Sequence, residues 1–218
     1  MSKSNELAKL NRIHYLSDKH GVEQKGQDKI KKKLMNSDYE LLNLKRGVAT
    51  FKNKKDDSIA VSVKGTDIKN KKDLVSDIKL GLGFSKHDKQ FNKRKNEIKN
   101  IYKQNPNVDK YLTGHSLGGS IVTSAIVGSK SIRDNTKQAV GFNTGYTQAF
   151  HNELSRDLKK EDKKQIRDKL TQHHIKNDVI STALTGPHLG KLKKHDINSI
   201  NPITKHSLTS IIEKTELK

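Results

Sequence analysis

The residues Gly114-His115-Ser116-Leu117-Gly118 place a serine between two glycines. A serine hydroxyl is a weak nucleophile by itself. It needs a base to take its proton, a carboxylate to orient that base, and N–H donors for the oxyanion formed on attack. A strand that turns sharply into a helix at such a serine lifts the hydroxyl above the strand ends, and the flanking glycines leave room for the turn. The context agrees: "VDKYLT" (108–113) reads as a strand and "SLGGSIVTSAIVGS" (116–129) as a small-residue apolar helix. The first N–H groups of that helix lack internal partners and lie at its positive end. The Leu117 N–H is therefore an expected oxyanion donor.

The rest of the chain has to position this turn. "RGVATF" (46–51) and "SIAVSVKG" (58–65) are short β-rich runs joined by a polar loop, and they predict an antiparallel hairpin. "KDLVSDIKLGLG" (72–83) reads as a helix up to its glycines. Residues 86–104 set Phe91, Ile98, Ile101 and Tyr102 on one helical face, and "NPN" then breaks the pattern. "QAVGFN" (138–143) and "QHHI" (172–175) predict strands around a charged helical stretch at 147–170. A last helix is expected near 206–214. This alternation predicts an α/β domain with a mostly parallel, mixed sheet flanked by helices. Residues 1–45 read as helical and polar, with Leu7, Leu10, Ile13 and Leu16 near helical spacing. They form an N-terminal extension or cap, and 46–218 the main domain.

"YLTGHSLGGSIVTSAI" resembles the serine segment of class 3 lipases, an α/β-hydrolase family with the motif G-H-S-L-G-G, matched here from Gly114 to Gly119. "AVSVKGTD" (60–67) is similar to the family's strand ending in R-G-T, with Lys64 where arginine is common. The resemblance implies that Thr66 supplies the second oxyanion donor. "DLVSDIKLG" (73–81) resembles the acidic stretch that often follows, and "VGFNTGYT" (140–147) stands where F-G-x-P is usual, without its proline. The resemblance covers 46–212. The lysine-rich composition is also similar to that of short family members in large DNA viruses.

A serine–acid–histidine order is expected along the chain. Asp178, in "HHIKNDVIS" (173–181), follows a strand and resembles the family's acid. Asp162, Asp168 and Asp196 lie in charged stretches and read as surface. His206, before the terminal helix, resembles the family's late histidine. His188 in "GPHLGK" and His195 are its rivals as the base. The implied catalytic set is Ser116, Asp178 and His206, with Thr66 and Leu117 as the oxyanion hole. His173 and His174 would face opposite sides of a strand and cannot share an ion. No metal site or cofactor is expected.

The chain has 218 residues, of which 31% are hydrophobic and 31% charged, so one domain with a concentrated core is expected. It contains no cysteine, which excludes disulfides, thiolate catalysis and Cys-based zinc sites. The N-terminus has no signal-length apolar core, and no apolar run approaches about 18 residues. These features predict a soluble, intracellular chain, in host cell or virion if viral. The net charge of +20 favours anionic partners such as a membrane surface, acidic proteins or nucleic acid. Aromatics are only 5%, with no tryptophan, and the lysines are scattered, which speaks against nucleic acid. The leading expectation is a serine hydrolase of lipid esters, acylglycerol or phospholipid. Residues 80–95 are a candidate lid or interfacial contact. A basic binding or virion protein that keeps the fold without catalysis is the second reading, and a hydrolase of another acyl substrate the third.

Overall fold

The computed structural model of the protein describes residues 2–15, 17, 23–45, 47–65, 89–178, 187–196, 207 and 212. Its centre is a sheet of seven strands lying side by side in chain order: β1 (Tyr39–Lys45), β2 (Val48–Asn53), β3 (Ile59–Val63), β4 (Lys110–His115), β5 (Thr136–Phe142), β6 (Leu170–Ile175) and β7 (Lys191–His195). The first three strands pair antiparallel, and β3 through β7 pair parallel. This is the expected mixed sheet flanked by helices.

Parallel strands added in one direction have a physical consequence. Right-handed crossovers then put every connecting helix on the same face. Helix α3 (Lys89–Gln104) joins β3 to β4, and α4 (Leu117–Gly128) with α5 (Lys130–Asp134) joins β4 to β5. Helices α6 (Gln148–Ser155) and α7 (Lys160–Lys169) join β5 to β6. Phe91, Ile98, Ile101, Ile121, Ile126, Ile132, Phe150 and Ile166 from these helices all enter one core with Val61 and Leu112 of the sheet. Helix α4 carries no charged residue and is buried from Gly118 to Val127, the pattern of a helix packed all round.

The opposite face needs another cover, and the N-terminal segment supplies it. Leu7, Ala8 and Leu10 of α1 (Lys3–His14), with Ile30 and Leu34 of α2 (Glu23–Leu34), pack on Phe51, Ala60, Val140 and Phe142. Each leucine, isoleucine, valine or phenylalanine among them, taken from water, contributes about 1.5–3 kcal/mol. Polar bonds fix where α1 sits. Asn11 Nδ2 donates to Ser62 Oγ at 2.9 Å and to the Val63 carbonyl at 3.3 Å, and His14 Nδ1 lies 3.1 Å from Ser62 Oγ.

Several sequence expectations change. Residues 1–45 are not helical throughout, because Tyr39–Lys45 is a strand bonded to β2. The stretch 147–170 is two helices with a break at 156–159. β7 carries no apolar alternation: four of its residues are exposed and three are lysines. It is held by backbone pairing to β6, and among the described residues it is the last strand, where its charges blunt the sheet edge. The expected helix at 72–83, residues 80–88 of the candidate lid, and most of 206–214 lie outside the described residues.

Candidate active site

Ligands of parallel α/β sheets gather at the carboxyl ends of the strands, and Ser116 stands directly after β4 there. Its backbone lies at φ 57° and ψ −125°. A positive φ in a residue with a Cβ costs on the order of 1–3 kcal/mol and persists only where the surroundings enforce it. The Ser116 N–H donates to the Phe142 carbonyl at 2.9 Å, and the Ser120 N–H to the Ser116 carbonyl at 3.3 Å. The glycines make the turn possible. A Cβ on Gly114 would stand 2.4 Å from the Gly118 carbonyl, and one on Gly118 would stand 2.2 Å from the Val63 carbonyl oxygen. The helix start can therefore lie on β3 and β4 only if both positions lack side chains. Ser116 itself is fully buried, and its hydroxyl has no hydrogen bond among the described residues. Leu117 is the first residue of α4, so its N–H belongs to the unpaired first turn.

A polar network holds α4 against the sheet. Gln172 Nε2 donates to Thr123 Oγ1 and Thr144 Oγ1 donates to Gln172 Oε1, both at 2.7 Å. Ser120 Oγ donates to the Gly145 carbonyl at 2.7 Å.

Asp178 is completely buried in the tight turn after β6, where its N–H donates to the Ile175 carbonyl at 3.2 Å. Asn177 makes that turn with φ 57°, a conformation asparagine tolerates better than most residues. Asn143, which the sequence reading passed over, braces it. Its side-chain oxygen accepts the Ile175 N–H at 2.9 Å and its own N–H donates to the His173 carbonyl at 2.8 Å. The only hint in the sequence was the missing proline of "VGFNTG". The register pairs His115 with Phe142 and Phe142 with His173, so β5 alone separates the strand that leads to Ser116 from the one that leads to Asp178.

Thr66 and His206 lie outside the described residues. The rival histidines His188 and His195 are described, and both make ring contacts. The His188 ring lies 4.8 Å from the Tyr146 ring and 4.4 Å from the His174 ring. His195 stacks on His173 at 5.1 Å, with Nε2 2.9 Å from His173 Nδ1. His173 and His174 do face opposite sides of β6. The first meets Phe142 and His195, the second His188.

Buried imidazoles make stability depend on pH. Burial, with the charges of Lys64 and Arg94, lowers His14 to about 3. Burial, with His195 and Lys193, lowers His173 to about 3. Burial, with Lys194 and His151, lowers His188 to about 4. In the unfolded chain each titrates near 6.5. The unfolded state therefore takes up protons that the folded state refuses. The stability present above about pH 6.5 is lost as pH falls toward 3–4, at no more than about 1.4 kcal/mol per pH unit for each histidine. We predict that Tm drops by on the order of 10 °C between pH 7 and pH 5. A flat thermal scan over that interval would contradict the burial of His14 and His173 and the partial burial of His188.

A buried serine on a strained strand-to-helix turn, with a buried carboxylate two strands away at the same end of a mixed sheet, defines an α/β-hydrolase. The chain matches the family "Lipase (class 3)" over residues 44–188, and it belongs to that family. It is a carboxylic ester hydrolase acting on lipid esters. Comparison with curated protein sequences finds no match. Among solved structures, the Lip2 lipase of Yarrowia lipolytica is similar with a TM-score of 0.57 at 16% identity, over 93% of this chain and 82% of that lipase. A Rhizomucor miehei lipase in its propeptide complex is similar with a TM-score of 0.53 at 14% identity, over 90% of this chain and 68% of that one. At such identities the likeness is one of fold. Among the described residues no helix is long and apolar enough to cross a membrane.

Proposed function

We propose that the protein cleaves lipid esters through a triad of Ser116, His206 and Asp178, with the N–H groups of Thr66 and Leu117 as oxyanion donors. The carrying observation is the positive φ of Ser116 inside G-H-S-L-G-G, on the strand-to-helix turn that presents a nucleophilic hydroxyl in serine hydrolases. Ser116 Oγ bonds to the acyl carbon as His206 takes its proton. Collapse of the tetrahedral intermediate expels the alcohol, which takes that proton from His206. Water then attacks the acyl-serine and gives a proton to His206, which passes it to the departing Ser116 Oγ as the fatty acid leaves. Asp178 holds the imidazole and steadies its positive charge. Two strand spacings, about 10 Å between backbones, is a span that one imidazole and two short side chains fill.

The leaving alcohol we propose is that of an anionic phospholipid. Lys176, paired with Asp196 at 2.8 Å, follows β6 at the site's end of the sheet, and exposed Lys193 and Lys194 lie on the adjoining β7. Each lysine near a negative bilayer adds about 1 kcal/mol of attraction, reduced by salt. The test is hydrolysis of anionic and neutral phospholipid vesicles at low and high salt by wild type, Asp178→Asn and His206→Ala. We predict faster cleavage of anionic vesicles, a loss of that advantage in salt, and falls of about 100-fold or more in both variants. Indifference to charge and salt would remove the anionic substrate. Near-normal activity in either variant would remove that residue from the triad.

A further inference from the structure

Tyr15 lies outside the family match, at the end of the helix that covers the far face of the sheet. Its hydroxyl meets two segments that lie far apart along the chain. It accepts the Gly65 N–H at 2.9 Å and lies 3.0 Å from His115 Nδ1. Gly65 precedes Thr66, and His115 precedes Ser116. A hydroxyl has one proton and two lone pairs, so it can accept from Gly65 and still pair with Nδ1, as donor or acceptor according to the His115 tautomer. The Tyr15 and His115 rings meet edge to face at 5.7 Å, and Lys64 Nζ lies 5.4 Å from the centre of the Tyr15 ring.

The contact falls where small displacements matter. A Cβ on Gly65 would come within 3.2 Å of Ser116 Cβ, 2.6 Å of the His115 carbonyl oxygen and 2.8 Å of the Tyr15 hydroxyl. The strand end leading to Thr66 thus abuts the nucleophile's own side chain, and Tyr15 bridges the seam between them. From the other face, Arg94 of α3 donates to the Lys64 carbonyl at 2.5 Å. The bonds of Asn11 and His14 to Ser62 and Val63 set the depth to which Tyr15 reaches.

We propose that Tyr15 is a positioning residue for catalysis: its hydroxyl fixes the spacing between Gly65, just beyond β3, and the His115–Ser116 turn, so that the N-terminal helix holds the turn that carries the nucleophile and the Leu117 N–H. This rests on the ester-hydrolase reading above. It also removes the Gly65 N–H from the pool of oxyanion donors. Oxyanion donors act only within a narrow geometry, and the loss of one costs about 100- to 1,000-fold in kcat. A shifted donor costs less.

The test compares Tyr15→Phe, His115→Leu, their double variant, and Tyr39→Phe. Tyr39 donates to Glu6 on the same helix at 2.9 Å but touches neither segment, so its variant reports helix docking alone. On a soluble short-chain ester, Tyr15→Phe should lower kcat about 10- to 100-fold with KM changed less than about 3-fold. His115→Leu should fall by a similar factor, and the double variant no further. Amide exchange at Gly65 should quicken at least about 10-fold in Tyr15→Phe and stay unchanged in Tyr39→Phe. A kcat for Tyr15→Phe within 2-fold of wild type, equal losses in Tyr15→Phe and Tyr39→Phe, or losses that multiply in the double variant would each overturn the proposal. If Tyr15→Phe does not fold, His115→Leu beside Tyr39→Phe decides it by the same readouts. A wild type inert toward esters would instead sink the hydrolase reading and the positioning role together.

Discussion

Replacing Ser116 with alanine is expected to lower ester hydrolysis by about 1,000-fold or more, with the fold intact. The size follows from the chemistry. Without the hydroxyl there is no acyl-enzyme, and what remains is the modest help that oxyanion donors and binding give to attack by water. The intact fold follows from the contacts. The Ser116 hydroxyl has no hydrogen bond among the described residues, so its removal leaves none of their donors or acceptors stranded. The backbone strain at φ 57° is the same for alanine as for serine. The Tm of Ser116→Ala should therefore stay within a few degrees of wild type, while hydrolysis of a short-chain ester falls to near background. Equal activity in the variant would mean that another group attacks the ester.

Gly118→Ala is expected to do the reverse, damaging the fold first and activity as a consequence. The new Cβ would stand 2.2 Å from the Val63 carbonyl oxygen and 2.9 Å from the Lys64 carbonyl carbon. Both belong to backbone, so no side chain can rotate away. Either α4 lifts from the sheet or β3 shifts from β4. Overpacking in cores commonly costs 1–3 kcal/mol, and a clash between two main chains belongs at the top of that range or above it, at about 3 kcal/mol or more. That corresponds to a Tm lower by on the order of 10 °C in a domain of this size. Lifting α4 also moves the Leu117 N–H and the Ser116 turn. Calorimetry beside ester turnover checks both effects, and a variant with wild-type Tm would show that the helix start is not pressed on β3 as described.

The turn and its surroundings were legible in the sequence because they rest on local, strongly constrained patterns. Gly114 and Gly118 are there for steric reasons, β3 is a β-rich apolar run, and α4 is built of small and apolar residues without a charge. The charged helix α3 was legible from Phe91, Ile98, Ile101 and Tyr102, all buried as expected. Other features depend on partners that a sequence does not display. β7 is lysine-rich and becomes a strand only because β6 offers it an edge. β1 follows two helices and is held by the register of the hairpin beside it. Asn143 braces the turn of Asp178 from a separate strand end, which only the order of the strands reveals. Tyr15 meets Gly65 and His115 across 50 and 100 residues of chain. The N-terminal helix gave an apolar stripe in Leu7 and Leu10, but its polar Asn11 and His14 set its depth, and no periodicity marks such residues.

The central claim is that Ser116 is an activated nucleophile. Treatment with a fluorophosphonate probe, followed by mass mapping of the labelled peptides, tests it most directly. The account predicts one adduct, on the peptide holding Ser116, and none on Ser116→Ala. A wild type that stays unlabelled, or a variant labelled to the same extent, would contradict it.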